Sequence, residues 1–287
     1  MANEAPTSLT PSSEPVTPAS RLAGSPRRWA EAAGFVGIWM ALGWALALDA
    51  NAYLLLGVPL TALFQLGVGR QPIRALWVRE APRFHLGWKG VLLALGLALW
   101  PAGIAAISFM SRDWLIGVYA VSAVVGAFAA AYALVQFRRA TWWSLAGCLG
   151  WAAGLGTAYM LAIAWLGQGQ IAPQLGLLAP TLLMLFPVCF LLEEVSFRGA
   201  LDAHVFQVGG SARVASALFV SCLWGLWHLP LFPRVGMTEI GLVLFAHTLI
   251  GVPLALFWRQ SGNLAVPAFA HAWIDAVRDS LSAGASG

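Results

Sequence analysis

The sequence predicts an all-α polytopic membrane protein, a transmembrane helical bundle of about nine spans, and three observations carry that expectation. Of 287 residues, 60% are hydrophobic and only 10% are charged, whereas an ordinary soluble domain has about 45–50% and about 25%. The mean hydropathy of +0.76 agrees, and this apolar content supplies eight or nine segments of the ~20 residues that a helix needs to cross the hydrocarbon core. The basic residues also gather on alternate connections, as the positive-inside rule requires. A disordered chain is excluded, because such chains are apolar-poor and charge-rich. The net charge of +4 comes without any Lys/Arg-rich run carrying interleaved aromatics, so no nucleic acid partner is expected.

Residues 1–28 are dominated by Pro, Ser, Thr and Ala without apolar periodicity and read as a disordered cytoplasmic tail. Ala45-Leu46-Ala47 has the small-x-small spacing of a signal-peptidase site, but the preceding tail is long and the apolar stretch 32–48 exceeds a usual signal core, so this segment reads as a span. Apolar runs fall at 30–49, 52–69, 90–110, 114–137, 142–167, 175–197, 214–232, 239–258 and 263–281. The first connection, Asp49-Ala50-Asn51, is short enough that the first two runs could merge, leaving eight spans. With the N-terminus inside, 1–28, 70–89, 138–141, 198–213 and 259–262 are cytoplasmic and hold 13 of the 16 basic residues, Arg198 and Arg259 among them; Arg112, Arg234 and Arg278 fall outside. The chain divides into the tail, N-terminal transmembrane helices over 29–174 and a functional core over 175–287. No internal repeat points to an inverted-repeat transporter. Cys148, Cys189 and Cys222 lie in apolar segments without C-x-x-C spacing and read as small packing residues.

Ionisable groups inside apolar spans are costly, and each is a candidate for function. Before residue 175 the spans hold only Glu31 and Asp49, both near ends, where an interfacial role suffices. The last third differs. In Leu191-Leu192-Glu193-Glu194-Val195-Ser196-Phe197-Arg198, Glu194 and Arg198 are i and i+4 and can pair on one helix face. Glu193 lies about 100° away on an α-helix and keeps a less compensated charge, which suits a general acid or base. A helix-end charge cluster with Arg198 snorkelling to the cytoplasm explains the same residues. Trp224 and His228 are again i and i+4, so the ring can shield the imidazole, although a histidine before Pro230 could simply satisfy a carbonyl. His271 and Asp275 repeat the spacing, and the carboxylate can orient the ring and fix its tautomer; a buried pair holding helices together is the plainer alternative. His247 is expected to bond a neighbouring helix, with an accessory role at the site as the alternative, and His204 and His85 to be solvated in cytoplasmic segments.

Taken jointly, Glu-Glu-x-x-x-Arg, aromatic-x-x-x-His and His-x-x-x-Asp, in that order on apolar spans, resemble the CPBP intramembrane protease family. That family includes the type II CAAX prenyl endopeptidases and bacterial abortive-infection and bacteriocin-immunity proteins. The resemblance covers roughly 180–278, with Phe197-Arg198-Gly199, His228-Leu229-Pro230 and Gly262-Asn263-Leu264 leading to Pro267 as further context. It implies a catalytic cavity formed by the last four spans and opening towards the cytoplasm, in a multi-pass protein of a bacterial plasma membrane. The implied activity is peptide-bond hydrolysis at the cytoplasmic edge of the bilayer.

By resemblance Glu193 activates water, Glu194 and Arg198 support it, and His228 and His271 bind a metal or polarise water and the scissile carbonyl. With zinc (Zn2+) as the default ion, the implied ligands are Glu193, His228 and His271, since two imidazoles, a carboxylate and an open position make a hydrolytic site. A metal-free route with Glu193 as base and the histidines stabilising the oxyanion is equally open. The implied partners are the lipid bilayer and a membrane-protein or lipid-modified peptide substrate. Two positions depart from the family pattern: Trp224 stands where Phe is usual, and Asp275 where Asn is usual. An ionised Asp cannot donate to an oxyanion, so Asp275 is protonated, or orients His271, or impairs the site. A non-proteolytic binding or immunity scaffold, or a transporter with a proton relay, could use the same polar cluster.

Overall fold

The computed structural model describes residues 26–79, 84–168, 173–206, 212–232 and 234–285. Among the described residues nine helices succeed one another: α1 (Pro26–Ala45), α2 (Ala50–Val68), α3 (Gly87–Met110), α4 (Trp114–Val135), α5 (Arg139–Leu166), α6 (Leu175–Val205), α7 (Ala212–Trp227), α8 (Met237–Ser261) and α9 (Ala265–Ala285). Backbone pairing of strand type is limited among them to an isolated bridge between Val78 and Asn263. The expected tail lies outside the described residues except for its last three, which begin α1. Seven helices, α2 to α8, are long and apolar enough to cross a membrane. Charge sets the other two apart, since α1 opens with Arg27, Arg28 and Glu31 while α9 carries Asp275, Arg278 and Asp279. The outer surface is that of an integral membrane protein, with large apolar side chains such as Leu99, Met110 and Leu166 more than three-quarters exposed, an arrangement tolerated where the solvent is lipid.

Local chemistry explains the helix ends. Asp49 accepts from the backbone N–H of Asn51 and Ala52 and so starts α2 after the short turn. Asp113 does the same for α4 through Ile116. Gly262, at φ 62°, takes the left-handed position that closes α8, its N–H reaching the Trp258 carbonyl. Asn263 then accepts from Ala265 N–H and donates 2.7 Å to the Ala133 carbonyl, tying the α8–α9 turn to the end of α4.

Packing relies on small residues where helices approach closely. At Gly126 a Cβ would run into the Pro187 carbonyl, so α4 can lie against α6 only without a side chain there. Trp39 donates to the Tyr53 carbonyl at 2.9 Å and Tyr53 to the Trp227 carbonyl at 2.8 Å, which fixes α1, α2 and α7 together by hydrogen bonds that no water could supply.

Two expectations about the connections need correction. Arg198 and Arg259, placed in cytoplasmic loops by the charge pattern, are buried inside the bundle. The run expected to end at 197 continues to Val205, and Phe190–Asp202 within it is wound as a π-helix. Its far end carries Asp202, which receives Arg259 Nε at 2.9 Å and Nη2 at 2.5 Å, while Arg259 also donates to Ser216 and the Arg213 carbonyl. A charge this well matched need not reach water, which is why the loop assignment failed for Arg259. The close α4–α6 contact yields a direct comparison. Gly126→Val should lower stability by about 1–3 kcal/mol through forced separation of the two helices, whereas Gly103→Val, where a Cβ meets open space, should melt like wild type in detergent; equal melting of both variants would refute the contact.

Candidate active site

The glutamates sit where α6 changes its winding. π-helical stretches are rare, mostly a single turn, and frequent at functional sites; here the stretch spans 13 residues and follows Pro187, which has no N–H to continue the α-helical ladder. Both Glu193 and Glu194 of this stretch are buried in the bundle interior.

Glu194 is the more heavily matched. Its Oε1 accepts from His271 Nδ1 of α9 at 2.8 Å and lies 3.3 Å from Arg198 Nη1, the expected i, i+4 partner. Arg198 is 1% exposed and makes no hydrogen bond among the described residues; its guanidinium instead stacks 4.2 Å from the Trp224 ring centroid. Glu193 has a different environment. Its Oε2 accepts from the Trp224 indole N–H at 2.9 Å and lies 3.9 Å from His271 Nε2. The two carboxylates therefore share His271, one on each ring nitrogen.

Asp275 meets His271 on the Nε2 side, at 3.5 Å, and binds Arg278 Nη1 through its other oxygen at 2.8 Å. It does not hold the Nδ1 position that a tautomer-fixing carboxylate would take, because Glu194 already occupies it. Cys189 Sγ lies 3.6 Å from Asp275 Oδ2. His228 is partly buried and its Nδ1 bonds the Trp224 carbonyl at 2.8 Å. Since a carbonyl only accepts, Nδ1 carries the proton and Nε2 the lone pair.

The sequence pattern does not reveal the roles of Cys189 and Trp224, and His247 takes the second of its two expected roles. His247 of α8 bonds its own Val243 carbonyl rather than a neighbouring helix, and its ring sits 4.1 Å from His228 and 4.5 Å from Trp224. Cys189 was read as packing alone. Trp224 was read as a shield for His228, yet it donates to Glu193, stacks on Arg198 and contacts all three imidazoles. The available signal was the indole N–H, which Phe lacks. His204, expected to be solvated, instead bonds Glu31 of α1 at 2.8 Å.

Cys189, Glu193, His271 and Asp275 each offer one ligand atom, and these atoms lie within 4.8 Å of one another. This donor set of sulfur, nitrogen and two carboxylates fits zinc, and the Glu194 hydrogen bond to Nδ1 is the partner that orients a metal-binding imidazole through its other nitrogen. Of the three ligands implied by resemblance, Glu193 and His271 are in this cluster and His228 stands outside it.

Fold and site together define an integral membrane protein with a carboxylate–imidazole centre buried among its last helices. Residues 175–277 match the family model of the Type II CAAX prenyl endopeptidase Rce1-like proteins, which supports the CPBP resemblance and a CAAX-type intramembrane peptidase function for this part of the chain. No curated protein and no solved structure matches the chain.

The indole contact is testable. Trp224→Phe keeps a ring over Arg198 but removes the donor to Glu193, and a hydrogen bond to a charged group is worth about 1.5–3 kcal/mol. The variant should melt lower in detergent by that order, and an unchanged melting temperature would exclude the bond.

Proposed function

We propose that the chain is an intramembrane endopeptidase in which Glu193 is the general base, with the basic helix ends on the cytoplasmic side. One observation carries this reading: Glu193 faces His271 across a gap, while Glu194 fixes the opposite nitrogen of the same ring. One carboxylate is committed to positioning, the other to chemistry. Trp224 holds Glu193 Oε2, leaving Oε1 to take a proton from water. The resulting hydroxide attacks the scissile carbonyl, and Glu193 then returns the proton to the leaving amine. With Nδ1 donating to Glu194, the neutral His271 ring presents the Nε2 lone pair to the attacking water, and its protonated form can donate from Nε2 to the oxyanion, a contribution that typically amounts to about 10²–10³ in rate per donor. His228, with its lone pair on Nε2, and the adjacent His247 both pack against Trp224 and can accept a proton in the course of the reaction.

In this proposal Cys189, His271 and Asp275 would hold a divalent ion, zinc by donor type, with Glu193 beside it as the base. When bound, such an ion supplies Lewis-acid polarisation of the reacting oxygens. Asp275 in place of the usual Asn adds a carboxylate to the cluster, and Arg278 keeps it oriented.

Glu193→Gln should reduce cleavage of a membrane-protein substrate in proteoliposomes to background, since the amide takes no proton. Full cleavage by that variant would reject the mechanism. The role of Asp275 is separable by metal content and rate together. If it helps hold an ion, Asp275→Asn should lower zinc per protein by elemental analysis and lower activity in parallel. If the site works without metal and needs an oxyanion donor there, Asn should preserve or raise activity with no zinc in either protein. A binding scaffold predicts no cleavage by wild type at all.

A further inference from the structure

We propose that the cleft between α1 and α2 is a binding site for an anionic phospholipid, separate from the glutamate centre and independent of the proteolytic reading. Two adjoining cavities carry the proposal. The first, about 360 Å³, lies along the two helices and is almost wholly apolar, walled by Gly34, Phe35, Ile38, Leu60, Leu63 and Phe64. The second, about 520 Å³, sits at the ends of the same helices and is lined by Arg27, Arg28, Arg70 and His204. Glu31 and Val68 line both, so the apolar space runs into the cationic one.

The charge arithmetic leaves a surplus for a ligand. Glu31 is fully engaged, its Oε1 with Arg27 at 2.8 Å and its Oε2 with His204 at 2.8 Å. Arg27 and Glu31 cancel, and Arg28 and Arg70 remain as two positive charges facing one cavity. Arg70 holds φ at 51°, a left-handed conformation that a non-glycine residue adopts at a cost, and strain of this kind collects at ligand-binding positions. The apolar half is open to the bilayer side, for Ile38 and Leu63 are 60% and 69% exposed. At Gly34 a Cβ would have no neighbour within 4 Å, so the cleft has unfilled width.

Chemistry narrows the occupant. Free phosphate would account for the arginines but leave the apolar cavity unexplained. A neutral lipid would fill the apolar cavity but not use the arginines. A phospholipid with net negative charge matches both halves at once, with its phosphate among the arginines and an acyl chain between α1 and α2, as basic pockets between transmembrane helices bind lipid headgroups elsewhere. His204 also extends the site's reach, because it lies two residues past the end of the π-helical stretch that carries the glutamates.

The test is thermal unfolding of the full-length chain in zwitterionic detergent, titrated with phosphatidylglycerol, phosphatidylcholine or inorganic phosphate. Phosphatidylglycerol alone should raise the melting temperature. With each surface arginine contributing about 1 kcal/mol to attraction of anionic lipid, Arg28→Gln combined with Arg70→Gln should require roughly 30-fold more phosphatidylglycerol for the same shift. Gly34→Leu, which fills the apolar cleft without touching the arginines, should also weaken the response. An equal shift with phosphatidylcholine, or with phosphate alone, overturns the proposal. So does an unchanged phosphatidylglycerol titration in Gly34→Leu, a variant that also decides the matter if the arginine variant does not accumulate.

Discussion

Burying two consecutive carboxylates in an apolar bundle is the constraint around which the rest of this structure is arranged. Each ionised group taken out of water without a partner costs several kcal/mol, and the lipid phase offers no compensation. The partners come from two other helices and from α6 itself: His271 from α9, Trp224 from α7 and Arg198 from a later turn of α6. The close α4–α6 contact at Gly126, the π-helical winding after Pro187 and the hydrogen-bonded turn at Asn263 all set the positions of α6 and α9. The polar centre therefore depends on backbone features well outside the motif residues.

The all-α bundle of about nine helices and the joint Glu/His pattern were legible because hydropathy and i, i+4 spacing are local quantities, although seven of those helices, not nine, are long and apolar enough to span a membrane. Glu194–Arg198 was readable as a pair, since both residues lie on one helix. Contacts between helices left weaker marks. The Glu194–His271 bond joins residues 77 apart, and spacing alone suggested Asp275 as the partner of His271. The π-helix escaped because no residue type specifies one, and its extra width changes which side chains share a face. Asp202 and Arg259 each look like loop charges at the ends of apolar runs; only their mutual bidentate contact removes them from water.

Trp224 illustrates why composition understates a residue's role. As an aromatic at i−4 to a histidine it is a packing element, and the family pattern permits Phe there. In the folded bundle its face takes the Arg198 guanidinium while its edge donates to Glu193. One indole thus lies between the cation that supports Glu194 and the carboxylate that faces the gap. The two glutamates are coupled through that ring as well as through His271.

The distribution of countercharges differs among the three carboxylates. Glu194 has a guanidinium at 3.3 Å and an imidazole at 2.8 Å. Asp275 has Arg278 at 2.8 Å, a half-exposed side chain whose charge is partly screened. Glu193 receives one hydrogen bond from a neutral indole, and the nearest cationic candidate is His271 Nε2 at 3.9 Å, beyond hydrogen-bond length. It is the carboxylate with the fewest fixed partners and the one that faces Nε2 across open distance. Glu194 is anchored through Oε1 alone, and its buried Oε2 makes no hydrogen bond among the described residues. What sets Glu193 apart under the proposed reaction is its place opposite His271 Nε2 with no guanidinium beside it, which leaves it the carboxylate best placed to exchange a proton with water.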